Sequence, residues 1–260
     1  MLKIAVLGGA GYLGTYVTKF FNAESLSRRT GFDVTDREQC QQLRDYDIVI
    51  HMAASVDRDK DHIERTFRIN AEGTLNVLEA LRENQVLIFT SSKDVYSVRD
   101  PYSLSKMVAE RYIKFTLRHK DFRTGVFRLA TTYALPVGGS GFVNLFVKSV
   151  KEGLPLPLLM EGKQRRHFLY VDDLSRAFEK FIKKGNSGLY DIGGGKENST
   201  TILGLVKMIE RAIGKKAKIS FSGEKVWGQI HHVTNLSRVS KALNWRPEIS
   251  LEEGIKRLVQ

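Results

Sequence analysis

Apolar and polar positions follow two alternating periods along the first half of the chain. LKIAVL at Leu2–Leu7 is a strand-length apolar run that breaks into Gly8-Gly9-Ala10-Gly11, and Tyr12–Phe21 then carries apolar residues suited to a helix buried on one face. Further strands are predicted at Asp47–His51, Val86–Thr90 and Thr124–Leu129, separated by helical patterns at Asp36–Leu43, Ile63–Glu83 and Ser103–Thr116. Strands alternating with helices imply an α/β fold built on a doubly wound parallel sheet covered on both faces.

Beyond Tyr133 the pattern changes. Pro136 and Gly138–Gly141 open a loop, a helix follows near Phe142–Glu152, and then comes the proline-bearing GLPLPLL. A strand at Phe168–Val171, a helix from Asp172 to Lys183 and a strand at Gly188–Ile192 are expected to return to the sheet. A helix at Ile202–Ile213, a strand at Lys218–Ser222 and a terminal helix from Leu251 complete a second lobe. The expected division is residues 1–134 and 166–192 for a Rossmann dinucleotide-binding domain. Residues 135–165 and 193–260 form a smaller α/β substrate-binding lobe, interleaved in sequence and sharing a cleft with the first.

Composition narrows the function classes. At 260 residues, 42% hydrophobic and 27% charged, the chain can bury a full core, which excludes disorder. No apolar run reaches the roughly 18 residues of a membrane span, and the apolar start lacks a cleavable signal's layout, so a cytoplasmic protein is expected. The single cysteine, Cys40, makes no intramolecular disulfide or thiolate metal site. The histidines lack ligand spacing, His231 and His232 reading as a loop or strand pair, so no metal is expected. The balance of 41 Lys+Arg against 29 Asp+Glu, net +12, attracts anions: nucleic acid, phosphorylated metabolites or an anionic cofactor. The basic residues are scattered, which argues for a solvated surface over a nucleic-acid stripe.

Gly8, Gly11 and Gly14 punctuate the first strand-to-helix turn. One glycine permits the tight turn, one lets backbone amides approach a pyrophosphate, and one allows the helix to pack close. The helix amino terminus then faces phosphates with its partial positive charge. The acidic residue that bonds an adenosine ribose 2′-hydroxyl is not evident after Phe21; Ser27-Arg28-Arg29 stands there instead. A guanidinium pair favours a 2′-phosphate, hence NADP over NAD.

Tyr102 and Lys106 are spaced i, i+4, neighbours on one helical face. A fixed ammonium there favours the phenolate and lowers the phenol pKa, which enables acid–base chemistry without histidine. Ser92 lies just past the apolar strand Val86–Thr90, where the carboxyl end of a parallel strand delivers side chains to a cleft.

Together these motifs resemble the extended short-chain dehydrogenases/reductases, the NAD(P)-dependent sugar-nucleotide epimerases, dehydratases and reductases. The likeness runs through GGAGYLG at 8–14, HMAA at 51–54, NAEGTLNVLEAL at 70–81, FTSSKDVYS at 89–97, YSLSK at 102–106, RRHFLYVDD at 165–173, GLYDIGGG at 188–195 and LNWRPEISLEEGI at 243–255. The resemblance implies Tyr102 as general acid/base, Lys106 as a holder of the nicotinamide ribose, and Ser92 as a hydrogen-bond partner of the reacting oxygen. It implies a cofactor cradle of Gly8, Gly11, Tyr12, Leu13 and Gly14, adenine-side contacts at Asp33 and Val34, Ala53 and Ala54 in the loop after the fourth strand, and Asn70 at the family's helix asparagine. Ser92, Lys93, Thr131, Arg166 and Tyr170 fall where relatives meet the nucleotide sugar, and a homodimer is expected.

The departures sort the reactions. Dehydrating relatives carry an acidic pair where this chain has Lys93-Asp94, and relatives that epimerise C3 and C5 use a cysteine near that strand end, whereas Cys40 lies elsewhere. Both reactions are disfavoured. HMAASVDRDKD resembles 4-keto-deoxysugar reductases, while RRHFLYVDD resembles C4 epimerases. Nine residues separate Ser92 from Tyr102, fewer than is common, and Thr131 and Asn235 replace an asparagine and an aspartate of many relatives. Hydride transfer at a sugar carbon, by 4-keto reduction or C4 epimerisation, is the reading; a non-catalytic cofactor-sensing or RNA-binding member is the alternative, motivated by the net charge.

Overall fold

The computed structural model describes residues 2–135, 141–222 and 234–260. The loop expected at residues 136–140 and the His231–His232 pair lie outside them. In chain order the elements begin β1 (Ile4–Leu7), α1 (Gly14–Phe21), β2 (Glu24–Leu26), α2 (Arg37–Cys40), β3 (Ile48–His51), α3 (Ile63–Phe67), α4 (Gly73–Ala80), β4 (Val86–Ser92), α5 (Pro101–Thr116) and β5 (Arg123–Leu129). They continue β6 (Thr131–Tyr133), α6 (Phe142–Glu152), β7 (Pro155–Leu159), β8 (Arg165–Tyr170), α7 (Val171–Lys184), β9 (Gly188–Ile192), β10 (Ser199–Thr201), α8 (Ile202–Ile213), β11 (Lys218–Ser222), α9 (Ser237–Leu243) and α10 (Leu251–Val259).

Contacts divide the chain into two compact units, Met1–Leu129 with Ser175–Tyr190, and Ala130–Leu174 with Asp191–Gln260. The six-stranded sheet has the order β2-β1-β3-β4-β5-β9, and the registers of β1 with β2 and β3, of β3 with β4 and of β4 with β5 are parallel. Its inner strands are apolar on both faces, as at Ala5–Leu7, Ile48–Ile50 and Leu87–Phe89, because helices cover both sides of a doubly wound sheet. The chain order reverses at β1, with β2 on one side and β3 on the other. The carboxyl ends of β1 and β3 therefore flank the switch point where α/β sheets bind ligands. Further along the sheet, Phe127 packs its ring against Phe178, Phe181 and Tyr190 at centroid distances of 4.9, 5.7 and 5.2 Å.

The second unit holds a three-stranded sheet, β10-β8-β6, and a parallel pair, β11-β7. Asp173, fully buried, accepts the amides of Glu248 and Ile249 at 2.8 and 3.0 Å, and the Trp245 indole donates to its carbonyl. This fastens the last segment, WRPEIS, ahead of α10.

Three expectations change. The strand expected at Phe168–Val171 is β8, which pairs with β6 and β10 rather than with the six-stranded sheet. An apolar run marks a buried strand but not which sheet receives it. Residues 130–134, 166–174 and 191–192 group with the second unit. The helix expected over Ile63–Glu83 is α3, one π turn at Arg68–Glu72, and α4, because the buried amide of Asn70 is drawn to neighbouring segments.

Phe127→Ala removes a fully buried ring from this cluster and is expected to lower the unfolding free energy by about 3–5 kcal/mol. Urea denaturation measures it, and an unchanged midpoint would contradict the packing described.

Candidate active site

The turn after β1 is built by steric necessity. Gly8 has φ +78°, and a Cβ there would meet the Ala53 backbone at 2.8 Å; a Cβ on Gly14 would sit 2.1 Å from the Gly8 carbonyl oxygen. Only glycine lets the turn, the start of α1 and the loop after β3 approach this closely. No side chain caps the amino end of α1 and no acid stands in its first turn, which leaves that positive end to whatever anion the turn receives.

A cavity of about 260 Å³ opens beside this turn. Gly8, Ala10 and Gly11 line it together with Ser27, Arg28 and Arg29 and with Asp33, Val34, Ala53 and Ala54. Arg29 donates to the Ala10 carbonyl at 3.3 Å, and Asp33 Oδ1 accepts both the amide and the hydroxyl of Thr35. These residues fit the adenosine end of a dinucleotide: a glycine cradle, an uncapped helix end, and cations after β2. Leu26, Phe32, Met52 and Ile69 also line the cavity. They were not anticipated, since apolar residues beside a turn carry no chemical signature.

Two expected contacts are placed differently. Ala53 and Ala54 follow the third strand of the chain, not the fourth, because only helical turns separate β2 from β3. Asn70 lies outside the lining with its amide fully engaged: Oδ1 accepts the Ser55 amide at 2.8 Å, and Nδ2 donates to the Ser55 carbonyl and to Ser105 Oγ at 2.8 and 2.9 Å. It ties the loop after β3 to α5. Tyr12, Leu13 and Gly14 belong to the turn but not to the cavity wall.

The second cluster forms where β4 ends and α5 begins. Asp100 caps α5, its Oδ1 accepting the Ser103 amide at 2.7 Å, with Pro101 at the first helical position; this fixes Tyr102 at the start of the helix. Ser92, the last residue of β4, accepts the Asp94 amide at 3.1 Å, and its side chain shares a hydrogen bond with the Tyr102 phenol. Lys106, 2% exposed, donates to the Thr90 carbonyl at 2.9 Å and lies 4.7 Å over the Phe89 ring.

The electrostatics depart from the i, i+4 expectation. Burial pushes the Tyr102 phenol up to about 12, and the cation whose field works against burial is Arg58. The Arg58 guanidinium carbon stands 4.9 Å from the Tyr102 ring centroid, while its nitrogens reach Asp94 at 2.7 Å and Asp100 at 2.5 Å. Lys106 instead faces a carbonyl, and burial draws its ammonium down to about 7, opposed by Glu110 one turn along α5. Glu110 is itself held by Ser91 and by a bidentate pair with Arg128 at 2.9 and 2.6 Å. His51, buried at the end of β3, is pulled down to about 3 by burial and then by Lys106, so it stays neutral and shares a hydrogen bond with Thr74 at 3.1 Å. Arg58 and Glu110 carry no sequence signal, because their partners are 36 and 18 residues away.

In the second unit, Thr131 pairs with Phe168 across β6 and β8, and the Arg166 guanidinium lies 5.5 Å from the Phe142 ring. Tyr170 is only 4% exposed, packed edge-on to Tyr133 with Arg257 above its ring. Asn235 accepts the Ser237 amide at 2.9 Å in the turn that leads into α9. Among the described residues no helix is long and apolar enough to cross a membrane.

A family model described as the NAD dependent epimerase/dehydratase family matches residues 4–193. The chain belongs to this family of NAD(P)-dependent enzymes acting on nucleotide sugars. It is 28% identical to a putative UDP-glucose 4-epimerase of Methanocaldococcus jannaschii, over 98% of this chain and 97% of that protein. It is 24% identical to a dTDP-4-dehydro-6-deoxyglucose reductase of Escherichia coli, over 99% and 96%. The crystal structure of a Thermotoga maritima UDP-glucose 4-epimerase with UDP-glucose shares the fold at TM-score 0.86 and 23% identity, over 99% of this chain and 97% of that one. The matched relatives include epimerases, dehydratases and reductases.

Lys106 gives a pH dependence of known sign. Its folded pKa of about 7 lies below the ordinary lysine value of 10.5, so between these values the unfolded chain binds more protons and stability rises with pH. The unfolding free energy of the ligand-free protein is expected to gain on the order of a few kcal/mol from this group between about pH 7 and pH 10, and Lys106→Met is expected to flatten that rise. Urea titrations across that range check it; equal slopes in both proteins would contradict it.

Proposed function

We propose that this chain moves a hydride at a carbon of a nucleotide-linked sugar, by 4-keto reduction or C4 epimerisation, with Tyr102 as general acid/base. The observation that carries this reading is the hydrogen-bonded pair of Tyr102 and Ser92 at the carboxyl end of β4, with the buried ammonium of Lys106 one helical turn along α5. When bound, the nicotinamide cofactor supplies or takes up the hydride. In the reducing direction the Tyr102 phenol gives its proton to the sugar oxygen, and Ser92 donates a hydrogen bond to that same oxygen as charge develops on it. In the oxidising direction the phenolate takes the proton back. A phenol whose pKa stands at about 12 is protonated near neutral pH, which suits the reducing direction. Lys106 is assigned to the nicotinamide ribose, and Lys93, Thr131, Arg166 and Tyr170 to substrate recognition.

The cofactor preferred in this reading is NADP. Arg28 and Arg29 line the cavity next to β2, where the adenosine ribose of a dinucleotide lies in doubly wound folds, and Asp33 spends one carboxylate oxygen on Thr35. Replacing Arg28 and Arg29 together with alanine is expected to weaken NADPH binding about tenfold or more while changing NADH binding far less, by titration calorimetry. Equal losses for the two cofactors would contradict the preference.

Purified protein offered NADPH or NADH with 4-keto and 4-hydroxy nucleotide sugars tests the reaction. Consumption of NADPH marks the reductase; retained NAD with interconversion of 4-hydroxy sugars marks the epimerase. Tyr102→Phe is expected to cost about tenfold to a hundredfold or more in turnover. Unchanged turnover would refute the role of the phenol, and tight RNA binding without dinucleotide affinity would favour the non-catalytic alternative.

A further inference from the structure

Arg58 stands among groups that come from three separate segments. It leaves the loop after β3, reaches Asp94 in the turn after β4, and reaches Asp100 at the cap of α5. Its guanidinium carbon lies over the ring of Tyr102, whose phenol is bonded to Ser92, two residues before Asp94. The planar fork gives one nitrogen to each carboxylate, and a lysine ammonium offers no such fixed geometry. Both carboxylates already occupy the guanidinium, which makes it a poor receptor for an acidic sugar and a good tie between segments.

We propose that Arg58 is a positioning residue for the proton-transferring pair: it holds the Ser92 turn against the start of α5 and supplies the positive charge that offsets Asp94 and Asp100 at the phenol. This rests on the reading of Tyr102 as acid/base. The charged groups acting on the phenol are Arg58 from the loop after β3, Asp94 from the turn after β4 and Asp100 at the cap of α5. Without Arg58, two carboxylates face the phenol against no guanidinium, and the phenolate becomes harder to form. Without Asp94, Arg58 faces one opposing carboxylate, and the phenolate becomes easier to form. The half-exposed setting of Arg58 lets solvent screen part of each effect.

The test compares Arg58→Gln, Arg58→Lys and Asp94→Asn with wild type in the full chain, following kcat and KM against pH. Arg58→Gln is expected to lower kcat on the order of tenfold with little change in KM for the nucleotide sugar, and to move the pH limb assigned to the phenol upward. Arg58→Lys is expected to recover part of the limb position. Asp94→Asn is expected to move the limb downward, which keeps the test open should Arg58→Gln fail to fold. A limb unmoved in all folded variants, or a lowered melting temperature with kcat and limb unchanged, would overturn the proposal. Tyrosine labelled with carbon-13 at the phenolic carbon, its Tyr102 resonance assigned with Tyr102→Phe, gives a titration independent of turnover. A Tyr102 signal that titrates at lower pH in Asp94→Asn supports the clamp even where no nucleotide sugar is turned over. An unmoved signal in an active enzyme sinks the clamp and leaves the acid/base reading standing.

Discussion

A methyl group on residue 14 would lie 2.1 Å from the Gly8 carbonyl oxygen, and one on residue 8 would lie 2.8 Å from the Ala53 backbone. That contact between the first turn, the first helix and the loop after β3 is the constraint from which the rest follows. It closes the switch point of the sheet so that backbone, rather than side chains, forms one wall of the cavity. It also fixes the origin of the loop after β3. Through Asn70 and Ser55 that loop is tied to α5, and through Arg58 it reaches the cap of the helix that carries Tyr102 and Lys106. The glycine turn and the Tyr102–Ser92 pair are therefore two ends of one connected piece of backbone within the first unit.

The second feature is a layer of buried titratable groups at the carboxyl ends of β3 and β4. Lys106, His51 and Tyr102 all resist ionisation because burial penalises their charged forms, and each has a polar partner that makes burial tolerable: the Thr90 carbonyl, the Thr74 hydroxyl and Ser92. Glu110 and Arg128 form a largely buried pair behind Lys106, and the guanidinium of Arg128 also lies over Tyr96. This polar layer is conditional on its partners. A ligand that brings charge to Tyr102 meets groups whose protonation is already poised by burial.

Much of this was legible from residue pattern. The glycine spacing marked the tight turn after β1, the apolar runs located most strands of the six-stranded sheet, and α8 spans Ile202–Ile213 as its periodicity predicts. Tyr102, Ser92 and Lys106 were marked by position on a strand end and a helix start. What stayed hidden depends on partners distant in sequence or on elements too short for a period. β2, β6 and β10 are three residues each, and α9 is seven. The sheet that takes β8 is decided by β6 and β10, both remote in sequence. The i, i+4 rule put Lys106 on the same helix as Tyr102 but not facing it usefully, since rotamer and burial sent the ammonium to Thr90 and left the phenol to Arg58.

The proposed exchange of a hydride between a nucleotide sugar and a nicotinamide is open to one decisive measurement. Stopped-flow absorbance of the reduced-nicotinamide band, followed through the first turnover after mixing the cofactor-loaded enzyme with a nucleotide sugar, tests it most directly. The band is expected to decay with a 4-keto sugar, or to rise and fall with a 4-hydroxy sugar. A band that stays flat with both classes, while the dinucleotide is demonstrably bound, would contradict it.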